Sequence, residues 1–292
     1  MKPIEISAVA ERPNISLRVD LFATKDEKQR SLLRRVEFAD KPGIVFVSTH
    51  KSAESIAADL QQMGVPAVFY HGGMKAKERE EIQKRFMNGD VPVIVATNAF
   101  GVGVDKPDIR FVYHADVSDS LDAYYREIGL AGRDGEPAEA VLFYRPQDIS
   151  AQSFKSGTAH VDSAALEAVY NALLDQKGPM SREELSVVST FNQRKLVGLL
   201  HKLEETGAVV CLDNDEIQAT SDRPLSEVIE EAERQLQFHK ELRKRHLQQM
   251  QQYAECRRCR RELLMRYLGD DSAAPCGNCD RCEEHRVLRK VA

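Results

Sequence analysis

The sequence predicts an α/β protein: a parallel-sheet lobe, then a winged-helix domain, then a helical metal-binding module. Three observations carry that expectation. Short apolar runs alternate with amphipathic stretches over residues 1–150. Three helix patterns and a hairpin pattern follow within residues 163–222. Five of the six cysteines crowd between Cys256 and Cys282.

In the lobe, the runs Ile44–Val47, Ala67–Tyr70, Val93–Thr97, Phe111–Ala115 and Ala140–Tyr144 are rich in branched and aromatic residues. Continuous apolar strands of this kind suit a sheet buried on both faces. Ser52–Met63, Lys75–Asn88 and Leu121–Ile128 read as the helices between them. Strand–helix repetition predicts a doubly wound parallel sheet, whose ligands bind outside the carboxyl ends of the strands. The loops after the strands are therefore the places to look for chemistry.

Residues 151–162 are small, polar and aperiodic, and read as a linker. Over 163–222, Leu166, Val169, Tyr170, Leu173 and Leu174 keep helical spacing, and Gly178-Pro179 ends that helix. Ser181 and Glu184 have capping-box spacing for a second helix. Leu196, Leu199, Leu200 and Leu203 line a third, stopped at Gly207. Strand patterns at Ala208–Leu212 and Glu216–Thr220 flank an Asp213-Asn214-Asp215 turn, which completes a winged-helix layout. Over 223–292, Pro224 opens a long charged helix with a thin apolar stripe, expected to bridge modules, and the cysteine cluster follows.

The 292 residues are 42% hydrophobic and 30% charged, with no Trp. No apolar run approaches the roughly 20 residues that span a bilayer, and no leader pattern opens the chain, so a cytoplasmic, nucleoid-associated protein is expected. The net charge of -5 advertises no polyanionic partner. Locally, however, Glu233–Arg266 holds ten Lys/Arg against four acidic residues, enough for a basic footprint.

Chemistry concentrates in Gly101–Gly135. Thr97 ends a strand, and a glycine-containing loop follows that lets backbone approach a ligand closely. Asp105 then stands where a carboxylate could meet a ribose hydroxyl or a metal-bound water. Gly129 and Gly132 punctuate a short helix and leave Arg133 free to present its fork to phosphate.

ATNAFGVGVDKPDIRFVYH (Ala96–His114) and YYREIGLAGRDG (Tyr124–Gly135) resemble motifs V and VI of superfamily 2 helicases, with wording most like the RecQ family. Val45–Leu60 resembles motif IV, Tyr70–Asp90 the segment after it, and Arg12–Ile15 the start of the second lobe. The resemblance implies a RecA-like lobe of a two-lobed motor, with ATP and Mg2+ held between the lobes and DNA moved 3′ to 5′. It implies that Arg133 reaches the ATP phosphates and that Gly103 and Asp105 line the same cleft. Ser48, Thr49 and Thr97 would contact the DNA backbone, with His71 nearby; loop and capping roles are the alternative for Ser48, Thr49 and His71.

Two departures stand out. Motif VI of the family reads Q-x-x-G-R-x-G-R, whereas Arg126 occupies the Gln position and Leu130 the first Arg position. Arg133 alone could serve, Arg126 could compensate, or the ATPase could be altered. Neither G-x-x-x-x-G-K-[ST] nor a DExH box occurs in the sequence. The P-loop lobe is thus an expected partner, and a fragment lacking it is expected neither to bind ATP well nor to unwind DNA.

Cys276, Cys279 and Cys282 stand at C-x-x-C-x-x-C spacing, and a fourth thiolate from upstream would complete a tetrahedral zinc site. By spacing, Cys256 and Cys259 both qualify. The RecQ zinc module resembles CRRELLMRYLGD followed by PCGNCDRC, which implies Cys259, Cys276, Cys279 and Cys282. Four thiolates leave no open position, so the metal's role would be folding.

On the third helix of the winged-helix pattern, Arg194 and Lys195, with Asn192, Gln193 and Lys202, could contact phosphates or base edges. In typical RecQ proteins the zinc module precedes the winged helix, whereas here it follows. Single strands and duplex junctions are the DNA partners that the resemblance implies. Two other readings stay open: a non-catalytic DNA-binding scaffold that kept the lobe, and a zinc-bearing winged-helix regulator.

Overall fold

The computed structural model describes residues 11–101, 103–150, 162–176, 178–212, 215–220 and 224–291. The expected linker at 151–162, apart from Asp162, and the Asp213-Asn214 turn lie outside the described residues.

Contacts divide the chain into two compact units, Met1–Ser153 with Arg245–Ala292, and Phe154–Lys244. This division differs from the boundaries read at 150, 162 and 222. Instead of forming a body of its own, the cysteine module packs onto the lobe.

The first unit is built on a six-stranded sheet in the order β1-β6-β5-β2-β4-β3. Its strands are β1 (Ile15–Leu21), β2 (Gly43–Phe46), β3 (Ala67–Tyr70), β4 (Val93–Ala96), β5 (Phe111–His114) and β6 (Ala138–Tyr144). Every ladder is parallel. Both faces are covered: Ile44, Phe46, Ile94 and Ala96 enter one core, while Val45, Val47, Val93 and Val95 enter the other. Because successive side chains point to opposite faces, a strand buried twice reads as an unbroken apolar run. Strand β1 is different. Its buried Ile15, Leu17 and Val19 alternate with half-buried Ser16, Arg18 and Asp20.

The helices of this unit are α1 (Lys25–Phe38), α2 (His50–Gln62), α3 (Ala76–Asn88) and α4 (Leu121–Ile128). Thr24 and Glu27 form a capping box on α1, and Ser120 caps α4 through Ala123 N.

In the second unit, α5 (Ser163–Gln176), β7 (Met180–Ser181), α6 (Arg182–Ser189), α7 (Gln193–Glu205), β8 (Val209–Cys211) and β9 (Glu216–Ala219) follow in winged-helix order. The short β7 pairs antiparallel with β9, which pairs with β8. Leu166, Val169, Leu185, Leu196, Leu200 and Ile217 share one core.

Helix α8 (Leu225–Glu255) is continuous over 31 residues. Its first turns give Val228 and Ala232 to the core of the second unit. Its last turns give Leu247, Met250, Tyr253 and Ala254 to the core of the first. The thin stripe thus corresponds to two buried ends rather than a solvated rod. Two shorter helices, α9 (Arg260–Tyr267) and α10 (Asp280–Val291), frame the cysteines: Cys259 caps α9, Cys276 and Cys279 lie in the turn before α10, and Cys282 lies within it. Among the described residues no helix is long and apolar enough to cross a membrane.

Candidate functional site

Loops at the carboxyl ends of β2, β3 and β4 hold Ser48, Thr49, His71 and Thr97 on three neighbouring strands. Their groups are already engaged to different degrees. Ser48 donates from both N and Oγ to Asp116 Oδ2, at 2.8 and 2.9 Å. Thr49 caps α2 by accepting from Ser52 N at 3.1 Å, the role that hydroxyls in this position commonly take. Buried Thr97 donates its backbone N–H to Tyr70 O. Buried His71 stacks on His50 at 4.3 Å and meets Glu54 Oε1 through Nε2, while its Nδ1 has no hydrogen-bond partner among the described residues.

The glycine-bent loop after β4 and the segment after α4 converge. Arg133 Nη1 donates to Asp105 Oδ1 at 2.9 Å. Both side chains reach solvent, at 34% and 88% exposure. Gly103 lies beside them with φ 75°. The conformation of 129–132 is imposed from the far end of the sequence. The Arg12 guanidinium donates to the carbonyls of Gly129, Ala131 and Gly132, and Asn14 Nδ2 donates to Gly132 O and Glu136 O at 2.8 Å. Gly132 has φ 54°, and a Cβ there would lie 2.5 Å from Asn14 Nδ2, so no other residue fits without displacing that clamp. Spacing alone does not reveal Arg12 and Asn14; the only signal was the resemblance of Arg12–Ile15 to a lobe start.

A cavity of about 670 Å³ opens on this region, within the range of ligand pockets. Asn98, Phe100 and Gly101 supply the wall nearest β4, Arg126, Leu130 and Arg133 a second, and Arg261, Leu264 and Met265 of α9 a third. Leu130 belongs to the buried core and is 4% exposed.

The cysteine cluster lies against β1. One sulfur from each of Cys259, Cys276, Cys279 and Cys282 lies within 4.8 Å of the others. Cys256 is outside this group, its thiol donating to Arg258 O at 3.5 Å and accepting from Arg260 Nη1 at 3.3 Å. Backbone N–H groups of Glu262 and Cys276 point at the Cys259 sulfur, that of Asn278 at Cys276 and that of Cys282 at Cys279, over 3.2–3.5 Å. Donors aimed at sulfur favour the thiolate form. Four thiols so close cannot all ionise unaided. Hydrogen bonds from Cys276 and Cys279 hold Cys259 well below the usual thiol range, while Cys276 is pushed far above it by that same bonding, and burial pushes Cys282 up to about 11. A soft dication would satisfy all four at once, so this donor set fits zinc.

In the second unit, Arg194 is exposed at the start of α7. Lys195 Nζ pairs with Asp162 Oδ2 at 3.0 Å and lies 4.4 Å from the centre of the Phe191 ring. Asn192 caps α7 through Lys195 N, so its side chain is already committed. Much of the positive charge over Glu233–Arg266 is also spent internally. Arg234 pairs with Glu231, Arg258 and Arg266 with Glu262, and Arg260 with Asp280, while Arg261 donates to Ile15 O.

Residues 25–135 match the family model of the helicase conserved C-terminal domain, and residues 222–283 match that of RecQ zinc-binding. The chain is 31% identical over 273 residues to the ATP-dependent DNA helicase RecQ of Pasteurella multocida, covering 93% of this chain and 31% of that protein. It is 43% identical over 142 residues to the probable ATP-dependent DNA helicase RecS of Bacillus subtilis, covering 48% of this chain and 29% of that one. Among solved structures, the yeast DEAD-box splicing factor Prp28 is similar at 26% identity and a TM-score of 0.45, over 50% of this chain and 33% of that one. The chain spans about a third of the length of the curated relatives it matches.

Proposed function

This chain belongs to the RecQ helicase family, as the region carrying the second RecA-like lobe and the RecQ zinc module, and from that premise we propose that it forms one wall of an ATP cleft in an ATP-dependent DNA helicase. The other wall is a P-loop lobe that cradles the triphosphate and Mg2+. One observation carries the reading: Arg133, on a loop clamped by Arg12, faces solvent beside Asp105, and that loop lies at the amino ends of β1, β5 and β6 rather than at the carboxyl ends where sequence reasoning looked for chemistry. An exposed ion pair of this kind is held weakly enough for a phosphate to displace its carboxylate. Gly103 and Asp105 line the cleft, and Arg133 stabilises charge on the phosphoryl group in transfer.

DNA crosses the carboxyl ends of β2, β3 and β4, where Ser48, His71 and Thr97 stand with the capped Thr49. Arg194 and Lys195 add contacts from the winged helix, and movement runs 3′ to 5′. Cys259, Cys276, Cys279 and Cys282 hold a structural zinc, which supplies folding energy and no chemistry.

The test is DNA-stimulated ATP hydrolysis and strand separation by a polypeptide that carries both lobes. Arg133→Ala should lower the hydrolysis rate by about a thousandfold or more. A parent that hydrolyses ATP and an Arg133→Ala variant that matches it would sink the assignment. A second reading, a DNA-binding scaffold with a silent lobe, is favoured by buried Leu130 standing where the family has an arginine. That reading requires DNA binding with no hydrolysis in the two-lobed polypeptide.

A further inference from the structure

Four guanidinium groups border the cavity that runs from the loop after β4 to the amino end of β1: Arg12, Arg126, Arg133 and Arg261. Two of them are structural. Arg12 is spent on the carbonyls of Gly129, Ala131 and Gly132, and buried Arg261 on Ile15 O. Among the described residues Arg133 holds only its solvent-facing pair with Asp105. Arg126 is exposed, and among the described residues no hydrogen bond or ion pair engages it. The cavity's two carboxylates are turned to other partners, Glu127 to His114 and Ser118 and Asp119 to Asn98.

The backbone explains how Arg126 could serve where residue 130 does not. Turn hydrogen bonds run past the end of α4, from Leu130 N to Glu127 O and from Ala131 N to Ile128 O. Bonds of this i→i−3 type tighten the turn, so that Leu130 swings into the core while Arg126 stays in solvent, both bordering the same cavity. Leu130 is packed into the core, and its Cδ1 would lie 3.5 Å from a Cβ placed on Gly101. A guanidinium at 130 would have to leave that core, whereas one at 126 starts from solvent on the same wall.

Resting on the helicase reading above, we propose that Arg126 and Arg133 form the phosphate-binding pair of this cavity, with Arg126 replacing from one turn earlier the arginine that Leu130 displaces. Its ligand is the polyphosphate chain of a nucleoside triphosphate. Two forks bordering one cavity suit the spread of charge over neighbouring phosphate oxygens better than one. The flanking apolar groups, Phe100, Leu130, Leu264 and Met265, lower the local polarity and strengthen both contacts.

The test is calorimetric titration of the 292-residue chain with inorganic tripolyphosphate, and separately with ATP, at millimolar concentrations and physiological salt. Arg126→Gln should weaken tripolyphosphate binding by at least about tenfold, the worth of a charged hydrogen bond. Arg126→Lys should restore part of the loss, because it keeps charge but loses the fork. Unfolding curves matching the parent would show that neither change acts through folding. If Arg133→Ala abolishes binding while Arg126→Gln binds like the parent, Arg133 acts alone: this proposal falls and the helicase reading stands. If the parent binds no tripolyphosphate, the paired phosphate site is also overturned. Hydrolysis in the two-lobed polypeptide remains a separate measurement, so failure of the helicase reading is told apart from failure of the pair.

Discussion

Arg260 is a cation with no exposed surface, which is tolerated only when every donor is matched. Its Nε and Nη2 reach the Asp280 carboxylate at 3.0 Å, and Nη1 reaches the carbonyls of Tyr253 and Ala254. Asp280 also accepts from Val19 N and Arg281 N. Removing one partner strands a buried charge, so Asp280→Ala should cost about 3–5 kcal/mol in denaturant unfolding, whereas replacing both partners with apolar residues should cost much less. Equal losses would show that the pair itself, rather than its desolvation, holds the module. Glu139 gives a second residue-level expectation. Burial alone would raise its pKa, but hydrogen bonds from Arg35 and Tyr113 outweigh burial and hold it below the usual value. A carboxylate with a depressed folded pKa adds stability above its unfolded value of about 4.3, and that stability fades as pH falls through the folded value. Glu139→Gln should therefore destabilise at neutral pH, with the gap to the parent closing in acid. Asp20, raised by burial beside the same Arg35, has the opposite pH dependence but is present in parent and variant alike, so it largely cancels from the gap. Parallel pH profiles for parent and variant would refute this account. The sequence marks the glycines, the cysteines, Asp105 and Arg133 as special, but none of the residues just named. Arg12, Asn14 and Arg260 act on groups far away in sequence or through burial, and neither property has a local signature.

At the level of elements, the zinc module finishes the sheet. β1 is an edge strand, and such edges invite pairing with other chains unless covered. Here Leu17 N donates to Asn278 O at 3.3 Å, Val19 N to Asp280 Oδ2 at 3.2 Å, and Ile15 O accepts from Arg261. The outward-facing groups of alternate residues are thereby satisfied by the turn and helices that carry the cysteines. Chelating the metal should release that cover. Hydrogen exchange at Leu17 and Val19 should accelerate far more than at Val45 or Val95 in the sheet interior, and self-association should rise. Cys259→Ser should reproduce this and lose the zinc, while Cys256→Ser should keep it; equal zinc loss in both would reassign the fourth ligand. β1 also shows why this level was only partly legible. Five strands announce themselves as unbroken apolar runs because helices cover both faces. β1 alternates instead, at the sheet's edge, and the two-residue β7 is too short to carry any pattern. Helices fare better, since their apolar period survives partial burial: Leu121–Ile128 is found at the expected bounds, and α2 and α3 within two residues of theirs.

Across the whole molecule, the two family matches end and resume on either side of the winged helix, at residues 135 and 222. A module set between the lobe and the zinc module in sequence need not carry the same duty as one that follows both, and its chemistry has to be judged from its own surface. Over residues 163–222 that module carries five Lys/Arg against ten Asp/Glu, so any attraction to DNA has to be local, at the start of α7. Lys195 is tied to Asp162, but both side chains are 45% exposed, and pairs in that setting are worth little, so a DNA phosphate can compete for the ammonium. Arg194 pays no such exchange. If α7 meets the DNA backbone, Arg194→Ala should reduce the salt dependence of binding by about one unit of slope, in fluorescence anisotropy with single-stranded and forked DNA. Lys195→Ala should reduce it by less, because releasing Asp162 leaves a carboxylate near the phosphates whichever residue is present. Slopes equal to the parent's in both variants would move the electrostatic contact away from α7. The next candidates are then on α8, where half-buried Lys240 and exposed Lys244 stand one turn apart with no ion pair among the described residues.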